Sequence, residues 1–254
     1  MKQKVLFDNN QLIIATTLKD TTCPDNNNMA LHATSNTSAV IFNRKKLAES
    51  LNIPFERMVF LNQTHSANLY HITSSDLKKG IISCDDAIDN CDACYTFEKR
   101  VPIGIFSADC VPIILYDPTT NMIAAIHSGW AGTCKEILNK VLDHLIIHEK
   151  IDPTNIHAYI GIAIEKDHFE VGQEVVDKFK QMSFDTSSFI YPKKDGKYLI
   201  DQKAVNKQML LNHHILESNI IIDHDDTMDE TLTHFFSYRK DKRCGRHFTY
   251  IMTR

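Results

Sequence analysis

The run VPIGIFSADCVPIILYDPTTNMIAAIHSGWAGT, residues 101–133, decides the fold class. It contains three short, β-rich apolar segments, Val101–Phe106, Val111–Tyr116 and Met122–His127. Nothing long enough for a helix separates them, and Asp117-Pro118 supplies a tight turn between the second and third. Strands that follow one another directly argue for an α+β protein on a mixed sheet, not for strict βαβ alternation. Just past the run the period changes. Ile137, Leu138, Val141, Leu142, Leu145 and Ile146 share one face of a helix predicted over Thr133–Glu149.

Further helices are predicted at Ala39–Leu51, with Asn36 or Thr37 as N-cap, and at Gln173–Met182 and Gln202–His214. Other strands are predicted at Leu12–Thr16, Met58–Asn62, Asn68–Ile72, Ile156–Ile160, Ile220–Ile222 and His247–Ile251, and Asp195-Gly196 reads as a hairpin turn. No repeat, low-complexity tract or linker divides the chain, so residues 1–254 are expected to form a single domain. A chain of this size buries roughly three quarters of its unfolded surface and needs no disulfide to fold. A net charge of −4 gives no electrostatic case for nucleic acid, and no apolar run approaches membrane-spanning length. Residues 1–8 lack the apolar core of a signal peptide, and the odd number of cysteines, seven, reads as free thiols. The expectation is a cytoplasmic protein without a membrane or nucleic-acid partner.

Three predicted strands end in metal-grade side chains: Asn62–His65, Ser107–Cys110 and Ala124–His127. A His, a Cys and a His at strand ends can converge above one sheet edge, as in zinc sites with three protein ligands and an open fourth position. Their separations of 45 and 17 residues match no short-range metal motif. Taken singly, His65 reads as a hydrogen-bonded loop histidine, Cys110 as an inert buried thiol and His127 as a strand-end histidine on Trp130. Cys84, Cys91 and Cys94 lack a fourth ligand and read as surface thiols. His144 and His148 read as solvated flanks of their helix. Asp109 reads either as a group that orients a ligand or as a strand-end cap. Arg239 and Arg246 stand close to aromatic residues and suit bidentate binding of phosphate or carboxylate.

Six segments, in this order, carry a resemblance: NMALHATSNTSAVIFNRKKLA (28–48), NQTHSA (62–67), SADCVPIILYDP (107–118), AAIHSGWAGT (124–133), FEVGQEV (169–175) and FFSYRKDKRCGRH (235–247). Together they resemble the laccase-domain family, also called polyphenol-oxidase-like or YfiH-like. The resemblance implies a single α/β domain on a mixed sheet and one zinc ion on His65, Cys110 and His127. Copper is the alternative metal that the laccase label suggests. It implies that Arg44 reaches substrate or phosphate. It also implies purine nucleoside substrates: phosphorolysis of adenosine, inosine and methylthioadenosine, and deamination of adenosine. The chain departs from the family pattern at Thr17–Asp20, at Gly161-Ile162 and at Ala131. Those departures bear on the substrate pocket and leave the three ligands untouched. A blue multicopper oxidase is disfavoured because no His-x-His occurs. A metal-free cysteine hydrolase, with Cys110 as nucleophile and His127 or His65 as base, is the other competing class, beside an editing role in cell-wall precursor metabolism.

Overall fold

Every residue of Val111–Asp117 and of Met122–Ser128 is buried, so this hairpin must be covered on both faces. The computed structural model, which describes residues Met1–Arg254, shows how. Along the chain run β1 (Gln3–Asp8), β2 (Leu12–Thr17), α1 (Thr37–Ser50), β3 (Leu69–His71), β4 (Ala93–Thr96), β5 (Ile103–Ser107), β6 (Val111–Asp117), β7 (Met122–Ser128), α2 (Trp130–Cys134), α3 (Ile137–Ile147), β8 (His157–Ile160), β9 (Glu170–Val171), α4 (Gln173–Phe179), β10 (Ile190–Pro192), β11 (Tyr198–Ile200), α5 (Gln202–Asn212), β12 (Ile220–Ile222) and β13 (His247–Thr253).

A six-stranded mixed sheet has the order β12-β8-β6-β7-β4-β3, parallel at its two outer pairs and antiparallel between them. A four-stranded antiparallel sheet, β1-β2-β13-β5, packs against it, and β10-β11-β9 form a small third sheet. Alternation along each strand builds the layers. Ile113, Leu115, Ala124 and Ile126 face α3 and α5 in a core of 29 residues. Ile114, Tyr116, Ile123 and Ala125 turn the other way and meet Ile14, Ile103, Ile105 and Ile251 in a core of 17. The outer face of the smaller sheet, with Ile13, Phe248, Tyr250 and Met252, rests on Leu47 and Leu51 of α1 in a core of 15. The result is a helix–sheet–sheet–helix sandwich of the expected α+β class.

Two local expectations change, and the choice between two candidate caps is decided. The helix predicted over Thr133–Glu149 breaks at Glu136, whose φ of 56° ends α2 before α3 begins. The Glu136 carboxylate accepts bonds from Asn139 Nδ2 and Ser183 N there. Met58–Leu61 is buried yet forms no strand. Its backbone bonds run to loops, Phe60 N to Lys79 O and Ile88 N to Phe60 O, with one isolated bridge between Leu61 and Ile88. Asn36, not Thr37, caps α1, accepting from Ala39 N at 3.1 Å. No helix is long and apolar enough to cross a membrane.

Candidate metal centre

Three chain reversals at one end of the sandwich bring the donors together. His127 is the penultimate residue of β7, just before the Gly129 turn into α2. Cys110 stands directly ahead of β6, after a reversal in which Asp109 takes φ 85°. His65 sits in a loop, at φ 57°, and not at a strand end as expected. Left-handed backbone at a non-glycine residue costs free energy and persists where its surroundings enforce it. Asp109 is held by bonds from Thr227 Oγ1 (2.6 Å) and Arg239 N (2.7 Å) to its carboxylate. One ligand atom from each of His65, Cys110 and His127 lies within 4.8 Å of the others, and this is the one such group of three in the chain.

Asp92, fully buried, organises the group. Its Oδ1 accepts from His127 Nδ1 (2.7 Å) and His65 N (3.1 Å). Its Oδ2 accepts from Ser66 N (2.6 Å), Ser66 Oγ (2.7 Å) and Thr64 N (3.1 Å). Burial would raise the Asp92 carboxyl, but His127 and Ser66 hold it down at about 2. An ionised carboxylate only accepts, so Nδ1 of His127 donates to Asp92 and Nε2 is the nitrogen left for a metal. Burial likewise pushes the Cys110 thiol up, yet the charge and hydrogen bonds of His127 and His65 more than offset it and pull it well below the ordinary range. His127 is pushed down by burial and up, more strongly, by Cys110 and Asp92. Cys110 and His127 thus form a thiolate–imidazolium pair in the metal-free site, and a metal ion would take the place of the second imidazole proton. Gly129 leaves the room for one. A Cβ there would lie 3.0 Å from Cys110 Sγ, 3.1 Å from His65 Cδ2 and 3.5 Å from His127 Cε1.

Two cavities adjoin the group. One, of about 280 Å³, is lined by His65 and Cys110 together with Trp130, Phe169, Tyr238 and Arg239. The other, of about 330 Å³, holds all three donors with His32, Gln63, Phe106, Tyr238 and Arg246. Tyr238 borders both. Arg239 and Arg246 therefore each border a cavity next to the centre. Arg44 does not. Its Nε donates to Met29 O (2.8 Å), its Nη1 to Gly80 O (2.5 Å) and Ile81 O (3.2 Å), and its guanidinium lies 3.8 Å from the Phe60 ring centroid. It is 1% exposed and lines neither cavity. The resemblance implies that Arg44 reaches substrate or phosphate; in this structure it ties loops together. Cys84 is exposed, but Cys91 and Cys94 are buried and not the surface thiols expected. His144 keeps to the flank of α3, 3.0 Å from Tyr95 Oη. Asp92 carries no signal in the sequence: it lies within Cys91-Asp92-Ala93-Cys94, and its partners Ser66 and His127 are 26 and 35 positions away.

Fold and donor set define an α+β sandwich with one three-donor centre at the seam between its sheets. Residues 19–254 match the model of the family described as multi-copper polyphenol oxidoreductase laccase, and the chain belongs to that family. It is 28% identical over 225 residues to purine nucleoside phosphorylase YlmD of Bacillus subtilis (strain 168), covering 88% of this chain and 81% of that protein. To purine nucleoside phosphorylase YlmD of Geobacillus stearothermophilus it is 32% identical over 226 residues, covering 88% and 82%. The crystal structure of Bacillus licheniformis YfiH superposes with a TM-score of 0.92 at 28% identity, over 98% of this chain and 99% of that one. YlmD from Geobacillus stearothermophilus superposes with a TM-score of 0.89 at 30% identity, over 96% and 92%.

Proposed function

We propose that this chain is a zinc-dependent purine nucleoside phosphorylase of the cytoplasm that also deaminates adenosine. The observation that carries the reading is the convergence of His65, Cys110 and His127 beside two cavities, each lined by aromatic side chains and one arginine. The names of the relatives support it. A thiolate and two imidazoles suit zinc and leave a coordination position open, with copper as the alternative ion. A bound zinc supplies Lewis acidity and activates water at neutral pH. The chain's own residues do the rest. Asp92 fixes the His127 ring, Trp130, Phe169 and Tyr238 offer apolar surface to a purine, and the arginines meet the anion. In phosphorolysis of adenosine, inosine or methylthioadenosine, a phosphate oxygen bonds to C1′ as the bond to the base breaks. The base leaves with the electron pair and takes up a proton. In deamination, water adds at C6 and ammonia departs.

Several coppers would need several ligand sets, and the chain offers one group of three. A second reading has its own support: Cys110, His127 and Asp92 also stand in the order nucleophile, base and orienting carboxylate of a cysteine hydrolase. One experiment separates the two. Pure protein is analysed for metal and incubated with adenosine, with and without phosphate, and the products are separated by chromatography. Adenine and ribose 1-phosphate in the phosphate sample only, inosine in both, and loss of both on chelation fit the zinc enzyme. Metal-free protein that leaves adenosine intact defeats it.

A further inference from the structure

Beside the cavity of the three donors lies a polar notch of about 380 Å³ walled by His32, Thr34, Ser35, Lys242, Arg243 and Arg246. His32 and Arg246 line both spaces, so the notch shares a wall with the cavity of the three donors. Three cationic side chains share it, and the one carboxylate paired with any of them is Asp241, 3.8 Å from Arg243 Nε. Arg246 is fixed in place. Its Nη1 donates to Cys244 O (2.6 Å) and Gly245 O (3.1 Å), its main-chain N to Asn28 Oδ1 (2.8 Å), and its guanidinium lies 5.4 Å from the Tyr238 ring centroid. Nε and Nη2 have no acceptor in the protein and no carboxylate partner. A held guanidinium with two free donors is what bidentate recognition of a tetrahedral oxyanion requires. Hydroxyls stand by as well: Thr34 Oγ1 accepts from Asn36 N at 2.8 Å and keeps its own proton to give, as does Ser35. Desolvation, then the charges of Arg246 and Arg44, push His32 down to about 4, so the imidazole stays neutral in a field that is already positive.

We propose that this notch is an oxyanion subsite that binds inorganic phosphate through Arg246, with Ser35, Lys242 and Arg243 completing the set. The anion then lies beside the cavity of the three donors, which meets the aromatic cavity at Tyr238. Its use in catalysis rests on the phosphorylase reading; its binding of phosphate does not.

The test titrates inorganic phosphate into the metal-loaded protein by calorimetry and measures KM for phosphate and for inosine. Arg246→Ala weakens phosphate binding and raises the phosphate KM about ten- to hundredfold, while the inosine KM changes little. Lys242→Glu with Arg243→Glu, at two exposed side chains, does the same to a lesser degree and puts the fold at no risk. Phosphate affinity unmoved in both variants overturns the subsite, and so does equal loss of phosphate and inosine. Phosphate binding that Arg246→Ala abolishes, in a protein that cleaves no nucleoside, upholds the subsite and defeats the phosphorylase reading instead.

Discussion

Asp92 binds nothing itself, yet it sets the tautomer of His127 and anchors three successive backbone N–H groups around His65. Asp92→Asn keeps the shape and removes the charge, so metal affinity should fall about ten- to hundredfold, read by competition with a chromophoric chelator. Unaltered affinity would show that the backbone alone holds the donors. The carboxyl also sets a pH window. Because folding lowers it from 3.8 to about 2, its contribution to stability is complete above the upper value and fades as the pH falls toward the lower. Metal-free protein should therefore lose stability across that interval, and Asp92→Asn should lose less. Arg44 makes the opposite case. Arg44→Ala leaves the carbonyls of Met29, Gly80 and Ile81 without their donor and should cost about 3 kcal/mol or more in urea unfolding. Stability unchanged with a raised phosphate KM would return Arg44 to the binding site. Both residues mark a limit of one-dimensional reading. His65, Cys110 and His127 stood out because their side chains are rare ligands at the ends of apolar runs. A buried Asp and a buried Arg look like any charged residue in the sequence, because their partners lie 15 to 37 positions away.

Among the elements, what could be read tracks what is buried. Strands β6 and β7 are apolar throughout because both their faces are covered, and they were legible to within a residue. Edge strand β1, half exposed with Val5 and Phe7 facing out, carries no such run and leaves no strand signal in the sequence. Met58–Leu61 misled for the converse reason: burial gave it a strand's composition, while its hydrogen bonds went to loops. The break at Glu136 was hidden as well, since the apolar spacing of α3 continues the register of its flanks. The Gly129 turn is the element on which the centre depends. Its φ of −65° suits any residue, so space alone demands glycine there. Gly129→Ala should push Cys110 and His65 apart and lower metal occupancy well below one equivalent, with the circular dichroism spectrum unchanged. Full occupancy would mean that the donors shift by the few tenths of an ångström needed without losing the ion.

For the whole molecule the decisive fact is that the centre lies at the seam of two sheets. Cys110 occupies the link from β5, in the four-stranded sheet, to β6, in the six-stranded one, and His127 ends β7 in the latter. An ion held there joins both layers, so its binding free energy adds to the stability of the sandwich: about 2.7 kcal/mol when free metal stands at a hundred times its Kd. Stripping the metal should lower Tm accordingly. It should also change the chemistry of one thiol in particular. Burial raises Cys91 and Cys94 above the ordinary range and pushes Cys134 to about 12 and Cys244 to about 11, whereas Cys110 is held low. Exposed Cys84 takes up alkylating agent whether or not metal is bound. With iodoacetamide and peptide mapping, Cys110 should be protected in the loaded protein and labelled once a chelator has acted. Because its thiolate is the favoured form at neutral pH, labelling should persist to pH values at which ordinary thiols no longer react, slowing only on further acidification. Labelling of Cys110 at the same rate with and without chelator would show that the thiolate answers to His127 alone, and the cysteine hydrolase would then replace the metal enzyme as the reading to pursue.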